Sequence, residues 1–135
     1  MTGMVPKTLS IDSEKRSDDS ELRSLLTRQA LFGNPGRTDV LVLIAGLGRS
    51  YPRELSRLTG LPMSSIGRAL EDFERSGVIV STRLAGAREV RLNPDYVAAR
   101  ELRALLEALV EREARYRAIL SEAARRRPRR AGKET

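Results

Sequence analysis

The sequence predicts a mainly α-helical fold with one small β-hairpin. After residue 20, apolar residues recur at helical spacing along most of the chain. The exceptions are two stretches rich in β-formers, VIVSTR at 78–83 and REVRLN at 88–93, separated by a turn that contains glycine. The predicted order is therefore four helices, a hairpin and one long C-terminal helix.

The composition excludes several kinds of chemistry. The chain has 135 residues, which is the size of one domain with tails. It has no cysteine and no histidine, so disulfides, Cys/His zinc sites and histidine acid–base catalysis are excluded. The stretch GLGRS at 46–50 lacks the spacing and the lysine of a phosphate-binding loop. We therefore expect no enzyme, no cofactor and no metal site.

The apolar pattern gives no sign of a membrane protein. No apolar run approaches the ~18 residues that a membrane helix needs. The first 20 residues lack the apolar core of a secretory signal. Together with the absence of cysteine, this predicts a cytoplasmic protein without a membrane partner.

The charge is strongly basic. The net charge is +7, and the cations are 22 arginines and only 3 lysines. Arginine presents a planar set of donors that matches phosphate and guanine, so a polyanionic partner is one interpretation. The alternative is a general preference for arginine over lysine that has no bearing on function.

The N-terminal part is predicted to be a flexible arm over 1–20, because this stretch is polar and has no periodicity. A first helix follows from Glu21, and the sequence Asn34-Pro35-Gly36 ends it. The next helix is strongly apolar over 40–47 and should be the most buried. The leucines near one face of the first helix are Leu22, Leu25, Leu26 and Leu31.

Two short helices come next. Pro52 suits the start of the first, and Gly60 ends it. The second is predicted over 62–76, with Gly77 as its left-handed cap. Its inward-facing residues are Ile66, Leu70 and Phe73. Two short helices joined by a tight turn and followed by a hairpin over 78–93 make residues 21–93 a winged helix-turn-helix.

The second short helix has the features of a recognition helix. A major groove admits one helix, and a small leading edge lets the backbone come close to the bases. Ser64, Ser65 and Gly67 supply that edge, and Arg68 can reach a guanine or a phosphate. The hairpin adds Arg83, Arg88 and Arg91, which can contact the flanking backbone and the minor groove.

Three stretches carry a family resemblance: LFGNPGRTDVLVLI at 31–44, SSIGRALEDFERSGVI at 64–79 and GAREVRLNP at 86–94. Through them, residues 31–109 resemble winged helix-turn-helix repressors of the ArsR and MarR type, the ArsR-like branch most of all. The resemblance implies a sequence-specific regulator, in most cases a repressor, that binds double-stranded DNA. The DNA contacts that it implies are Met63, Ser64, Ser65, Gly67, Arg68, Arg83 and Arg88.

The chain departs from that family at several points. Met63 stands where a polar residue is common, and Gly67 stands where serine is common. These departures leave more of the recognition to Arg68, to apolar contact and to DNA shape. Metal sensing through Cys and His ligands is excluded, and no polar constellation identifies another effector.

The C-terminal part is predicted to be one helix over 94–127, followed by a basic tail at 128–135. A helix of this length cannot pack wholly against so small a domain, so we expect it to form a homodimer; folding back on its own domain is the alternative. A dimer would place two recognition helices about 34 Å apart on DNA. The predicted dimerisation residues are Leu22, Leu25, Leu102, Leu105, Leu109, Tyr116 and Ile119.

Other functions remain open at this level. A winged helix can also serve as a protein–protein interaction adaptor, and a basic one can bind DNA without sequence preference as an architectural protein. Arg68 can instead pair with Glu71 or Asp72 on a solvated helix face. The basic tail can neutralise phosphates, or it can be a solvated segment.

Overall fold

The computed structural model describes residues 12–127, with side chains from residue 19 onward. This part of the chain forms six helices and one antiparallel two-stranded sheet, which confirms the mainly helical class with a small hairpin. The elements are α1 (Asp12–Leu31), α2 (Pro35–Leu47), α3 (Pro52–Thr59), α4 (Met63–Arg75), β1 (Ile79–Leu84), β2 (Ala87–Leu92), α5 (Ala99–Arg112) and α6 (Ala114–Arg126).

The chain divides into two compact units, one ending at Thr38 and the other beginning at Asp39. In the first unit, α1 begins at Asp12 and not at Glu21. The prediction of a flexible arm is therefore wrong for 12–20, because that stretch has no proline or glycine to interrupt a helix. Residues 1–11 of the predicted arm and the basic tail at 128–135 lie outside the described residues.

Local capping joins α1 to the start of α2 within the first unit. The side-chain oxygen of Asn34 accepts a hydrogen bond of 2.8 Å from the backbone N–H of Arg37, as an N-cap does. The buried hydroxyl of Thr38 lies within hydrogen-bonding distance of the carbonyl oxygens of Arg28 and Asn34. These bonds set the turn between the two helices.

The second unit is built around the C-terminal part of α2. Every residue from Val40 to Ile44 is fully buried, in agreement with the prediction from its apolar run. Each later element contributes side chains to the same core. The large, fully buried ones are Leu55, Ile66, Leu70, Ile79, Val90, Leu106 and Tyr116.

The two short helices have nearly the predicted limits. Pro52 opens α3, and Gly60 ends it with a φ of 79°. Pro62 is the N-cap of α4, which runs as far as Arg75, and Gly77 follows with a φ of 84°. Left-handed backbone is accessible to glycine at little cost, which is why these two helices stop where they do.

The hairpin pairs Ile79 with Leu92 at its base and Leu84 with Ala87 at its tip. The turn is the two residues Ala85 and Gly86, both with positive φ (50° and 81°), and is shorter than the predicted four. Positive φ at both central residues suits the right-handed twist of the strands.

A short bridge beside β2 was not predicted. Ser50 and Val90 exchange two backbone hydrogen bonds of 2.9 Å each. The segment just before α3 is thereby fixed to the hairpin.

The C-terminal part is not one long helix, so that prediction is wrong. Asn93 caps a turn by accepting a hydrogen bond of 2.9 Å from the N–H of Asp95, and α5 starts only at Ala99. Glu113 is extended (φ −111°, ψ 110°) and separates α5 from α6. The break lies just before the buried Tyr116.

Candidate nucleic-acid interface

Helix α4 has a buried face and an exposed leading edge. Ile66, Ala69, Leu70 and Phe73 are buried against the core. At the leading edge, Met63 is 50% exposed, Ser64 and Arg68 are also exposed, and Ser65 and Gly67 are half-buried. These are the residues of α4 that we predicted from the sequence to contact DNA. They therefore lie on the solvent-facing side of the helix.

Helix α3 fixes the start of α4 through the turn between them. The Ser56 hydroxyl donates a 2.7 Å hydrogen bond to the carbonyl oxygen of Leu61. The Thr59 hydroxyl donates to the carbonyl oxygen of Leu55 at 2.7 Å and accepts from the N–H of Leu61 at 3.1 Å. These bonds hold the short turn between α3 and α4 in a defined geometry.

Gly67 has no structural reason to be glycine. A Cβ added there would meet no atom within 4 Å beyond the helix's own backbone, and its φ is not left-handed. Glycine inside a helix costs about 0.5–1 kcal/mol relative to alanine. Packing within the described residues therefore does not require glycine at this position.

The arginines of the hairpin differ in their surroundings. Arg88 is half-buried and pairs with Glu74 of α4, with Nη2 2.8 Å from Oε1. The Ser81 hydroxyl donates to the same carboxylate oxygen at 3.0 Å and accepts from Arg88 Nε at 3.2 Å. The partner of Arg88 therefore comes from α4 and not from the hairpin. Arg83 and Arg91 are exposed.

Arg83 and Arg88 stand directly opposite each other in the hairpin. Like charges in directly opposite positions destabilise a sheet. Glu74 offsets the charge of Arg88, whereas Arg83 is exposed near the tip of the hairpin.

The base of the hairpin has its own polar cluster. The buried Glu89 pairs with Arg49, with Nε 3.2 Å from Oε2, and accepts a hydrogen bond of 3.2 Å from the Tyr51 hydroxyl. These contacts tie the segment before α3 to β2 and hold the hairpin against the helices.

A second cluster joins α3 to the end of α6. Arg127 donates to both carboxylate oxygens of Glu54, at 2.7 Å and 3.0 Å, and the Ser50 hydroxyl donates at 2.7 Å. Burial alone would raise the pKa of Glu54, but the hydrogen bonds from Arg127 and Ser50 outweigh it and lower the pKa. The hydrogen bond to Glu54 outweighs burial to raise the pKa of Arg127.

The residues predicted for dimerisation are in different environments. Leu22 and Leu25 of α1 are 53% and 41% exposed, and Leu105 of α5 is 39% exposed. Tyr116 departs from the prediction: it is fully buried and its hydroxyl donates a 2.6 Å hydrogen bond to Asp39, so it has no surface to offer a second chain. The half-buried members of the predicted set are Leu102, Leu109 and Ile119.

Comparison of the chain with known proteins identifies no relative. No family model, no curated protein and no solved structure matches the chain. Within the part of the chain that the structure describes, no helix is long and apolar enough to cross a membrane. Over the same residues, no group of three or more acidic side chains is arranged to hold a metal ion.

Proposed function

We propose that this chain is a winged helix-turn-helix regulator that binds a specific sequence in double-stranded DNA as a homodimer and acts as a transcriptional repressor. The observation that carries the proposal is the division of α4 into a buried face and an exposed leading edge made of small residues and one arginine. An edge of this kind fits a major groove, where base edges are read at close range.

The base contacts are assigned to the first turns of α4. Ser64 and Ser65 offer hydroxyls that can donate to or accept from base edges, and Arg68 offers the fork that matches guanine. The half-exposed Met63 supplies apolar contact, for example with a thymine methyl group. Gly67 lets the helix backbone come close.

The hairpin is assigned to the flanking DNA backbone. The exposed Arg83 and Arg91 neutralise phosphates, which fixes the register of the protein without reading sequence. Arg88 has a different role, because its ion pair with Glu74 links the hairpin to α4.

The proposed dimer partner is a second copy of this chain. Exposed leucines on α1 and, separately, on α5 give each helix an apolar surface that a second copy would cover. Two-fold symmetry would then place the two α4 helices about one DNA turn apart and require a pseudo-palindromic site.

The test is selection of bound fragments from random duplex DNA at roughly 0.15 M salt, where specific binding is distinguished from general attraction to phosphates. The double variant Ser65→Ala with Arg68→Ala removes the proposed readers. Ser76→Ala with Arg75→Ala changes the same residue types at the far end of α4 and serves as the control. A pseudo-palindromic sequence recovered by the wild type and the control, and lost in the first variant, supports the proposal.

The structure also has a feature that favours an interaction adaptor. Leu84 at the hairpin tip is 51% exposed and Val97 is 93% exposed, so apolar surface is available to a protein partner. An adaptor would retain no duplex in the selection. An architectural DNA binder would retain duplexes without enriching any sequence.

A further inference from the structure

Five arginines surround one cavity in the second unit. Its volume is about 410 Å³, within the range of small-molecule sites. The cavity lies between the start of α3 and the end of α6. It is lined by Arg49, Arg53, Arg57, Arg126 and Arg127, together with Tyr51 and Glu54.

Three of these arginines have carboxylate partners. Arg127 is held by Glu54, and Arg49 lies against Glu89 at 3.2 Å. Arg126 Nε lies 3.5 Å from Glu122, a carboxylate that also pairs with Arg125. The charges of Arg127 and Arg49 are therefore largely offset by the protein itself, and the charge of Arg126 is offset in part.

The other two arginines are different. Arg53 and Arg57 are four residues apart on α3, so they lie on one face of the helix, and both are exposed. Within residues 19–127, neither forms an ion pair; Arg57 acts on Glu54 only through its charge at longer range. Like charges at this spacing repel each other and destabilise a helix.

We propose that this cavity binds a small anion with two adjacent phosphate groups. Guanidinium groups converging from two helices match phosphate oxygens in pairs, with more than one hydrogen bond for each arginine. Arg53 and Arg57 supply the principal contacts, because both are exposed and neither forms an ion pair within residues 19–127. Tyr51 also lines the cavity and is the one aromatic residue among the described residues that line it. The proposed site does not depend on DNA binding by α4.

Glu54 gives the site a distinctive property. Its carboxylate lies in the cavity wall and already holds Arg127, so it competes with an incoming phosphate for that guanidinium and repels it. Neutralising Glu54 should therefore tighten binding of the anion. A set of surface arginines without a defined site would respond only to the change in net charge, as it would to the neutralisation of any other exposed carboxylate.

The experiment is calorimetric titration of the full chain with inorganic pyrophosphate, without DNA, in ~0.15 M chloride, which screens weak surface attraction. Arg53→Gln with Arg57→Gln should weaken binding by tenfold or more, since about tenfold is expected for each charge-assisted hydrogen bond lost. Arg75→Gln with Arg112→Gln removes the same charge from exposed positions outside the cavity and should change the affinity by less than about twofold.

Glu54→Gln should bind pyrophosphate several-fold more tightly, with circular dichroism confirming the fold. Equal losses of pyrophosphate affinity in the two double-arginine variants would show that only the net charge matters. This result would overturn the inference. Absence of pyrophosphate binding by the folded wild type would also overturn it. If the double variant Arg53→Gln with Arg57→Gln then lowered only the affinity for duplex DNA, these two arginines would be contacts to the DNA backbone. Failure of α4 to bind DNA would leave the pyrophosphate result unaffected.

Discussion

The guanidinium of Arg127 holds both carboxylate oxygens of Glu54, with Nε 3.0 Å from Oε2 and Nη2 2.7 Å from Oε1. The two residues are 73 positions apart in the sequence, so the pair fastens the end of α6 to the first turn of α3. Arg127 also donates to the carbonyl oxygen of Arg49 at 2.9 Å. Arg127, which directly follows α6, is therefore bonded both to α3 and to the segment before it.

Replacing Arg127 with methionine should destabilise the protein by about 2 kcal/mol, because it leaves the buried Glu54 carboxylate without its main partner. Arg126→Met is the matched control. Its pair with Glu122 is more exposed, and its loss should cost less than about 0.5 kcal/mol. Urea unfolding followed by circular dichroism measures both. Equal costs would show that the Glu54 pair has no special contribution to stability.

The same pair predicts a pH dependence. The folded-state pKa of Glu54 is lowered below its usual value near 4.5, so its ionised form stabilises the fold above that pH. This contribution is lost as the pH falls through the folded-state pKa. The difference in unfolding free energy between the wild type and Arg127→Met should therefore shrink below about pH 5 and stay constant between pH 6 and 8. A constant difference down to pH 3 would contradict the assignment.

Local signals predicted the elements that local chemistry controls. Pro52, Gly60 and Gly77 mark the limits of α3 and α4 because their backbone preferences act within one turn of the chain. The alternation in 88–93 likewise identified β2, and the glycine before it identified the turn.

The break at Glu113 could not be predicted in this way, because the sequence has no proline or glycine there. The break lies next to Arg115 and Tyr116, whose side chains both donate to Asp39. These contacts join residues that are 76 and 77 positions apart in the sequence. The Glu74 partner of Arg88 was missed for a similar reason, since it comes from another element. The four-residue spacing of Arg53 and Arg57 was visible in the sequence, but their position beside the end of α6 was not.

The contact of Tyr116 with Asp39 should be a measurable part of core stability. Tyr116→Phe keeps the packing but removes the 2.6 Å hydrogen bond to Asp39, whose other carboxylate oxygen is held by Arg115 at 2.9 Å. A hydrogen bond to a charged group is worth about 1.5–3 kcal/mol, and we expect a loss in this range. Tyr96→Phe at a half-buried position is the control, with an expected change of less than about 0.5 kcal/mol. Similar losses of stability in the two variants would mean that Asp39 has enough hydrogen-bond donors without Tyr116.

The proposed DNA contacts make different predictions for Arg83 and Arg68. Arg83→Gln should weaken binding to every duplex alike and reduce the log–log salt slope by about 1, as expected for one lost phosphate contact. Arg68→Gln should relax preference at one base pair of each half-site, at a cost of about 1–3 kcal/mol. Fluorescence anisotropy at several salt concentrations, with specific and scrambled duplexes, separates the two. If both variants lost affinity for all duplexes equally, Arg68 would be a backbone contact and not a base reader.

At position 67, helix stability favours alanine, whereas the proposed DNA interface favours glycine. An added Cβ at 67 meets nothing within 4 Å beyond the helix's own backbone, so Gly67→Ala should stabilise α4 by roughly 0.5–1 kcal/mol. The same methyl group would stand between the helix and the bases, and we expect a loss of DNA affinity of about tenfold from the imperfect approach. Gly60→Ala is the contrast: with a φ of 79° it should destabilise the protein by about 1 kcal/mol. Thermal unfolding and anisotropy on the same samples measure both effects. A stabilised Gly67→Ala variant with undiminished DNA affinity would show that the backbone of α4 does not approach the bases closely.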